Sequence, residues 1–309
     1  MEYKYIDIHT HVNLDAFQSD FREVSEHTLH EGVAYINVGT GKDTSTRAVE
    51  LLELGSKDRA RVPQIQGDKE RKPETYSTYG EGLSDAGNEV NEALSRGIFA
   101  TVGLHPVRAG GKEDSDGTQP ESFDRGYFAS LARNPGVVAI GECGFDYYRV
   151  DKDTKKKQET AFIEQIELAN KLEKPLMLHV RDVKGSMDAY EDAIAVLKAH
   201  AKVLGNVHFF AGTYGIARQF WDMGYTTSFT GVITFADEYD ETIKNAPRAM
   251  LHAETDAPYV APVPFRGQRN EPLHVREVYK RIAEIRGEDE EVVRLALLKN
   301  AERVFGIKL

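Results

Sequence analysis

Cysteine occurs once in the 309 residues, as Cys143, so the chain cannot form an internal disulfide, and a reducing compartment, the cytoplasm, is expected. No window approaches the roughly 18 uninterrupted apolar residues that a membrane-spanning helix needs. The first residues carry no basic stretch leading into an apolar core, so no signal peptide is expected. Basic residues are also in the minority: 39 Lys and Arg stand against 50 Asp and Glu, a formal net charge of −11. That balance disfavours a protein that grips duplex nucleic acid through a broad basic face. A small phosphate-handling pocket remains compatible with it, because a metal and two or three arginines can reverse the sign locally. No G-x-G-x-x-G fingerprint follows a predicted strand, and no repeat of 20 to 50 residues is evident.

What is present is a soluble-type composition, 40% hydrophobic and 29% charged, able to bury a large core. Short apolar runs recur at residues 5–9, 33–39, 98–104, 137–142, 175–180, 206–210, 225–230 and 250–255. Helical spacing fills 20–31, 45–54, 89–95, 157–172, 187–200 and 215–223, and an amphipathic helix is predicted at 289–305. Eight strand candidates, most followed by a helix, predict an α/β fold of the (β/α)₈ TIM-barrel type; a doubly wound open sheet is the alternative. Residues 66–87 and 109–120 lack periodicity and read as long surface loops. No linker divides the chain, so residues 1–309 are expected to form a single unit.

In such a barrel, chemistry collects at the C-terminal ends of the strands. Five of the ten histidines fall there: His9 and His11 in "YIDIHTHVN", His105 in "GLHP", His179 in "LMLHVRD" and His208 in "NVHFF". Glu142 and Asp256 join them from "AIGECGFDYYR" and "AETDAPY". The other five (His27, His30, His200, His252 and His274) lie on helices or strand flanks and are assigned no function. Four imidazoles, from His9, His11, His179 and His208, with two carboxylates suit zinc, manganese, iron or nickel, and the carboxylates also permit magnesium. Six ligands exceed one four-coordinate ion that keeps a water, but they suffice for two ions sharing a carboxylate. Glu142, midway in the strand order, is the expected bridge. Cys143 should face the opposite side of the pleat as a packed thiol. Asp7, two residues before His9, is expected to orient a ligand imidazole.

The motifs "IDIHTHVN", "TVGLHPV", "VVAIGECGFDYYR", "PLMLHVRD", "VHFFAGT", "ETDAPYVAP" and "RNEPLHV" resemble, in order, the TatD-type metal-dependent deoxyribonucleases of the amidohydrolase-like barrels. The resemblance runs from residue 5 to about 276, and "NAERVFGI" is similar to the family's last helix. It implies two divalent ions (Mg, Mn or Zn), one held by His9, His11, Glu142 and Asp256 and the other by Glu142, His179 and His208. Asp256 would also activate the attacking water, and His105 would contact the phosphate or assist the leaving group. Arg181 could fork onto a phosphate, and Arg149 is a further substrate-binding candidate. The implied substrate is a DNA end or small nucleic-acid fragment, with no membrane or obligate protein partner. An amidohydrolase-type deacylase or esterase, acting on a lactone or a charged tRNA, could use the same dinuclear site, and a non-catalytic metal-binding protein is a third reading. The chain departs from the family in "HFFAG" for the common "HCFSG", in "HPV" for "HPH", and in a longer 66–87 loop.

Overall fold

Eight short strands run in parallel, each beside its neighbour in sequence: β1 Tyr5–Thr10, β2 Val33–Val38, β3 Ile98–Val102, β4 Val137–Asp146, β5 Leu176–Arg181, β6 Gly205–His208, β7 Thr226–Phe229 and β8 Leu251–Ala253. The structure is a computed structural model that describes residues 3–52, 97–113 and 119–309. The loop after β8 returns to β1, where the His11 N–H donates to the Ala257 carbonyl at 2.8 Å and the Asp256 N–H to the His9 carbonyl at 2.9 Å. These bonds bring the ends of the sheet together, and the expected (β/α)₈ barrel is the architecture. Strand β4 extends four residues past Glu142, the end expected from sequence.

The helices are α1 Phe21–His30, α2 Lys42–Glu50, α3 Pro106–Ala109, α4 Arg125–Leu131, α5 Lys155–Leu172, α6 Asp188–His200, α7 Tyr214–Asp222, α8 Asp240–Asn245, α9 Val275–Arg286 and α10 Glu290–Phe305. Helix α2 begins three residues earlier than its apolar spacing suggests. The Thr44 hydroxyl accepts the N–H groups of Thr40 and Gly41 at 2.8 and 3.0 Å, which fixes the turn that starts it. Helices α3, α4, α8 and α9 were not expected, although α9 carries a regular buried stripe of Val275, Val278, Tyr279, Ile282 and Ala283. The expected helix 89–95, the loop 66–87 and part of the loop 109–120 lie outside the described residues. Among the described residues, no helix is long and apolar enough to cross a membrane.

Alternation along the strands sorts the core into two parts. In β2, Val33 and Tyr35 pack with the helical layer, and the Tyr35 hydroxyl donates to Ser25 of α1 at 2.7 Å. Ala34, Ile36 and Val38 belong to a second, inner cluster with Ile6, Ile8, Phe99 and Met177, and Phe305 and Ile307 join it. His252 is buried near Phe305, and neither of its ring nitrogens has a hydrogen-bond partner among the described residues. Burial, helped by the charge of Arg303, pulls its pKa down to about 3 from an ordinary 6.5. The folded chain therefore keeps His252 neutral, while the unfolded chain protonates it below about pH 6.5, so stability falls as the pH drops through that interval. Between about pH 7 and pH 4.5, the replacement His252→Leu should remove roughly 2–3 kcal/mol of the stability loss seen in the parent protein. Urea denaturation at the two pH values measures this, and equal losses in both proteins would refute the assignment.

Candidate metal centre

The pairing of β1 with β2 is irregular between Asp7 and Thr10, and His9 within that stretch and His11 just past it bring their Nε2 atoms within 3.2 Å of each other. Asp256 follows β8 in the left-handed backbone region (φ 53°), a costly conformation for a residue with a side chain, and is held there by its N–H bond to His9. Its Oδ1 lies 3.4 Å from His11 Nε2 and 3.8 Å from His9 Nε2. Glu142 reaches in from β4 with its two oxygens turned to different partners. Oε2 is 3.5 Å from His9 Nε2 and 3.8 Å from His11 Nε2, whereas Oε1 is 2.6 Å from His179 Nδ1 and 2.8 Å from His208 Nε2. All six expected ligand residues thus meet in one buried cluster, with one carboxylate between two sets of donors.

Hydrogen bonding on the far side of three of the four rings determines what the near side can offer; the far nitrogen of His9, Nδ1, has no hydrogen-bond partner among the described residues. His11 Nδ1 donates to the Val38 carbonyl at 3.0 Å, His179 Nε2 faces Asp146 Oδ2 at 3.0 Å, and His208 Nδ1 faces Glu254 Oε1 at 3.3 Å. Each outer nitrogen keeps its proton for an acceptor, so each neutral ring presents a lone pair to the cluster. His105 is the reverse. Its Nδ1 accepts the Val107 N–H at 3.2 Å, so Nε2 carries the proton, 3.5 Å from Glu142 Oε1. Distance alone would group His105 with Glu142 and His179 as an ion-holding set. Ring chemistry instead gives His105 an N–H toward the cluster, whereas His208, 2.8 Å from Glu142 Oε1, presents a lone pair to it.

Charge agrees with a site built for cations. Burial alone would raise the Glu142 carboxyl, but the imidazoles of His208, His105 and His9 hold it well below the usual carboxylate range. Asp256, likewise buried, is lowered by His11 and by the neighbouring imidazoles. Burial would lower His11, yet Asp256 and Glu142 raise it to about 9, and Glu142 and Glu254 similarly lift His208 against its burial. Lone pairs and carboxylates this close require positive charge between them, from protons or from metal ions. The donor set of imidazole and carboxylate fits divalent metals.

Two carboxylates absent from the expected site support it. Asp146, the last residue of β4, holds His179 through Oδ2 and accepts the N–H groups of Tyr148 and Arg149 through Oδ1 at 2.8 and 2.7 Å; burial would raise its pKa, but the bond and charge of His179, with His105 and the Arg149 N–H, together bring it down to about 2. Glu254 holds His208 and accepts the Phe209 N–H at 2.7 Å through Oε1, and accepts the Ser228 hydroxyl at 2.6 Å through Oε2. Asp7 does not orient an imidazole as expected. It accepts the N–H groups of His9 and Thr255 and the Thr255 hydroxyl, and so ties β1 to the end of β8. Cys143 packs in the core with its thiol toward the Met177 carbonyl, and burial pushes its pKa up. Asp146→Asn should weaken divalent-metal affinity by about 10- to 100-fold, because His179 loses the acceptor that fixes its orientation and raises its basicity. Calorimetric titration of the metal-free protein with manganese or zinc measures this; unchanged affinity would exclude a supporting role.

Above the cluster lies an open cavity of about 330 Å³. Arg149 and Arg181, from the ends of β4 and β5, occupy one arc of its rim; Phe209, Tyr239 and Tyr259, which follow β6, β7 and β8, occupy the next. The guanidinium of Arg181 lies 4.4 Å from the ring centre of Tyr148, and no carboxylate among the described residues forms an ion pair with it.

A family model described as TatD related DNase matches residues 6–306. The chain is 32% identical to an uncharacterised metal-dependent hydrolase, YabD of Bacillus subtilis, over 306 residues, covering 97% of this chain and 98% of that protein. It is 34% identical to a protein of Citrobacter koseri named 3'-5' ssDNA/RNA exonuclease TatD, over 68% of this chain and 78% of that one. Among solved structures, the TatD homologue YJJV of Escherichia coli superposes with a TM-score of 0.73 at 25% identity, covering 99% of this chain and all of the other.

Proposed function

The chain belongs to the TatD-related family of metal-dependent hydrolases, and from that premise we propose that it hydrolyses phosphodiester bonds of DNA, at strand ends or in small fragments, with two divalent ions. The observation that carries the proposal is Glu142, whose two oxygens face two separate donor sets. His9, His11, Glu142 and Asp256 would hold one ion, and Glu142, His179 and His208 the other. When bound, the pair supplies a water of lowered pKa and positive charge for the phosphoryl oxygens. Asp256, ionised and beside the first set, takes the proton of the attacking water. His105 gives its Nε2 proton to the leaving oxygen. Arg181 and Arg149 steady the phosphate from the rim, where their charge offsets the acidity of the chain.

A site of this kind could also open lactones, esters or cyclic amides, or deacylate a charged tRNA. The two arginines on the rim favour a phosphate-bearing substrate over a neutral lactone, ester or cyclic amide. The test is to strip the protein of metal, reload it separately with magnesium, manganese and zinc, and assay single-stranded, duplex and abasic DNA beside a panel of esters and amides. Metal-dependent cleavage of DNA is expected. Turnover of acyl substrates with the oligonucleotides left intact would overturn the proposal in favour of the acyl reading.

A further inference from the structure

Phe209 occupies a backbone conformation that few large residues adopt, with φ 43° in the left-handed region. Two bonds impose it: its own N–H to Glu254 at 2.7 Å, and the Phe210 N–H to the Ser228 carbonyl at 3.0 Å. The turn sends Phe210 into the core against Tyr190 and Phe229, with ring centres 5.5 and 6.2 Å away. Phe209 is left half-buried on the cavity wall, edge-on to His208 at 6.4 Å. The small residue Ala211 lines the same cavity two residues on. Packing does not explain this placement, because the core is already served by Phe210. Strain held by fixed bonds at a cavity wall directs attention to what the cavity receives.

Within the phosphodiesterase reading, on which this step rests, we propose that Phe209 is a specificity-determining stacking wall for the base of the nucleotide whose phosphate lies over the cluster. Every nucleobase has a π-face, so such a wall accepts all four bases while discriminating against a strand end that lacks one. The ring is presented by a fixed turn and has few torsions to freeze on binding. Arg181, on the neighbouring arc, then takes an adjacent phosphate. A chain with a net charge of −11 cannot draw its substrate in through a broad positive field, so affinity has to come from local contacts of this type.

The test uses the metal-loaded protein and single-stranded oligonucleotides that differ only in whether the terminal nucleotide, at either end, carries a base. The parent protein should show a kcat/KM ratio of about tenfold or more in favour of the base-bearing end. Phe209→Leu should bring the ratio close to about 1, and Phe209→Tyr should restore it, because the ring and not the volume matters. Being a ratio, the readout is unaffected by the fraction of protein that folds. A parent without preference, or a ratio unchanged in Phe209→Leu, overturns the stacking wall while leaving the phosphodiesterase reading intact. Failure of the reloaded parent to cleave any oligonucleotide, with acyl substrates turned over, overturns both.

Discussion

Glu142→Ala is expected to lower metal-dependent kcat/KM by at least about 10³-fold, roughly 4 kcal/mol of transition-state stabilisation, and to leave the barrel folded. Among the described residues, the carboxylate is the one ion-pairing group within 3.8 Å of His9, His11, His179 and His208 together. Its loss strands four imidazole nitrogens without the negative charge that makes a cation welcome between them. The barrel should survive, because the inner and outer apolar clusters are built without Glu142. Glu142→Gln, nearly isosteric, should be almost as inactive, which separates the charge from the shape. Metal content, circular dichroism and turnover on one preparation decide the matter. A folded Glu142→Ala protein with a full metal complement and parental activity would rule out the bridge.

How much of this was legible in the sequence depends on a single rule, that strand residues two apart share a face. Applied to "HTH", the rule places His9 and His11 together, and the structure agrees. The same rule puts Asp146, four residues after Glu142 on β4, on the face of Glu142, but it does not reach Glu254, which lies past the end of β8. Neither residue is marked by spacing as a support, because a carboxylate behind an imidazole has the same spacing as one among the donors. The rule does not hold at Asp7, where the β1–β2 register breaks between Asp7 and Thr10 and the carboxylate binds Thr255, just past β8. Order and number of strands were readable because apolar runs and helical stretches alternate through the chain. Helix α9 was readable in principle from its buried stripe, yet its length follows from packing on β1, where the Tyr279 hydroxyl donates to the Ile6 carbonyl at 3.1 Å. The tautomer contrast between His105 and the other rings was not readable, since it depends on which backbone group each ring meets.

Asp256→Asn is expected to lower kcat by about 10³-fold, within the range that positioned acid–base groups supply, with a much smaller change in KM. The residue has a double demand on it. Its carboxylate must stay ionised in a buried place, which His11 and the neighbouring imidazoles ensure, and it must sit beside the first donor set, 3.4 Å from His11 Nε2. Asparagine keeps the shape and the left-handed turn but cannot accept a proton from water. Asp256→Glu tests the other demand: it restores charge and basicity but moves the carboxylate outward by one methylene from a backbone fixed by the His9 carbonyl. Misplacement of about 1 Å costs on the order of 10²-fold, so Asp256→Glu should remain severely impaired. Metal bound at the Glu142, His179 and His208 set should persist in both variants, because Asp256 contributes nothing to it. If Asp256→Asn kept parental kcat with metal in place, proton acceptance would have to pass to another group, and among the described residues Glu142 is the carboxylate whose oxygens face both donor sets.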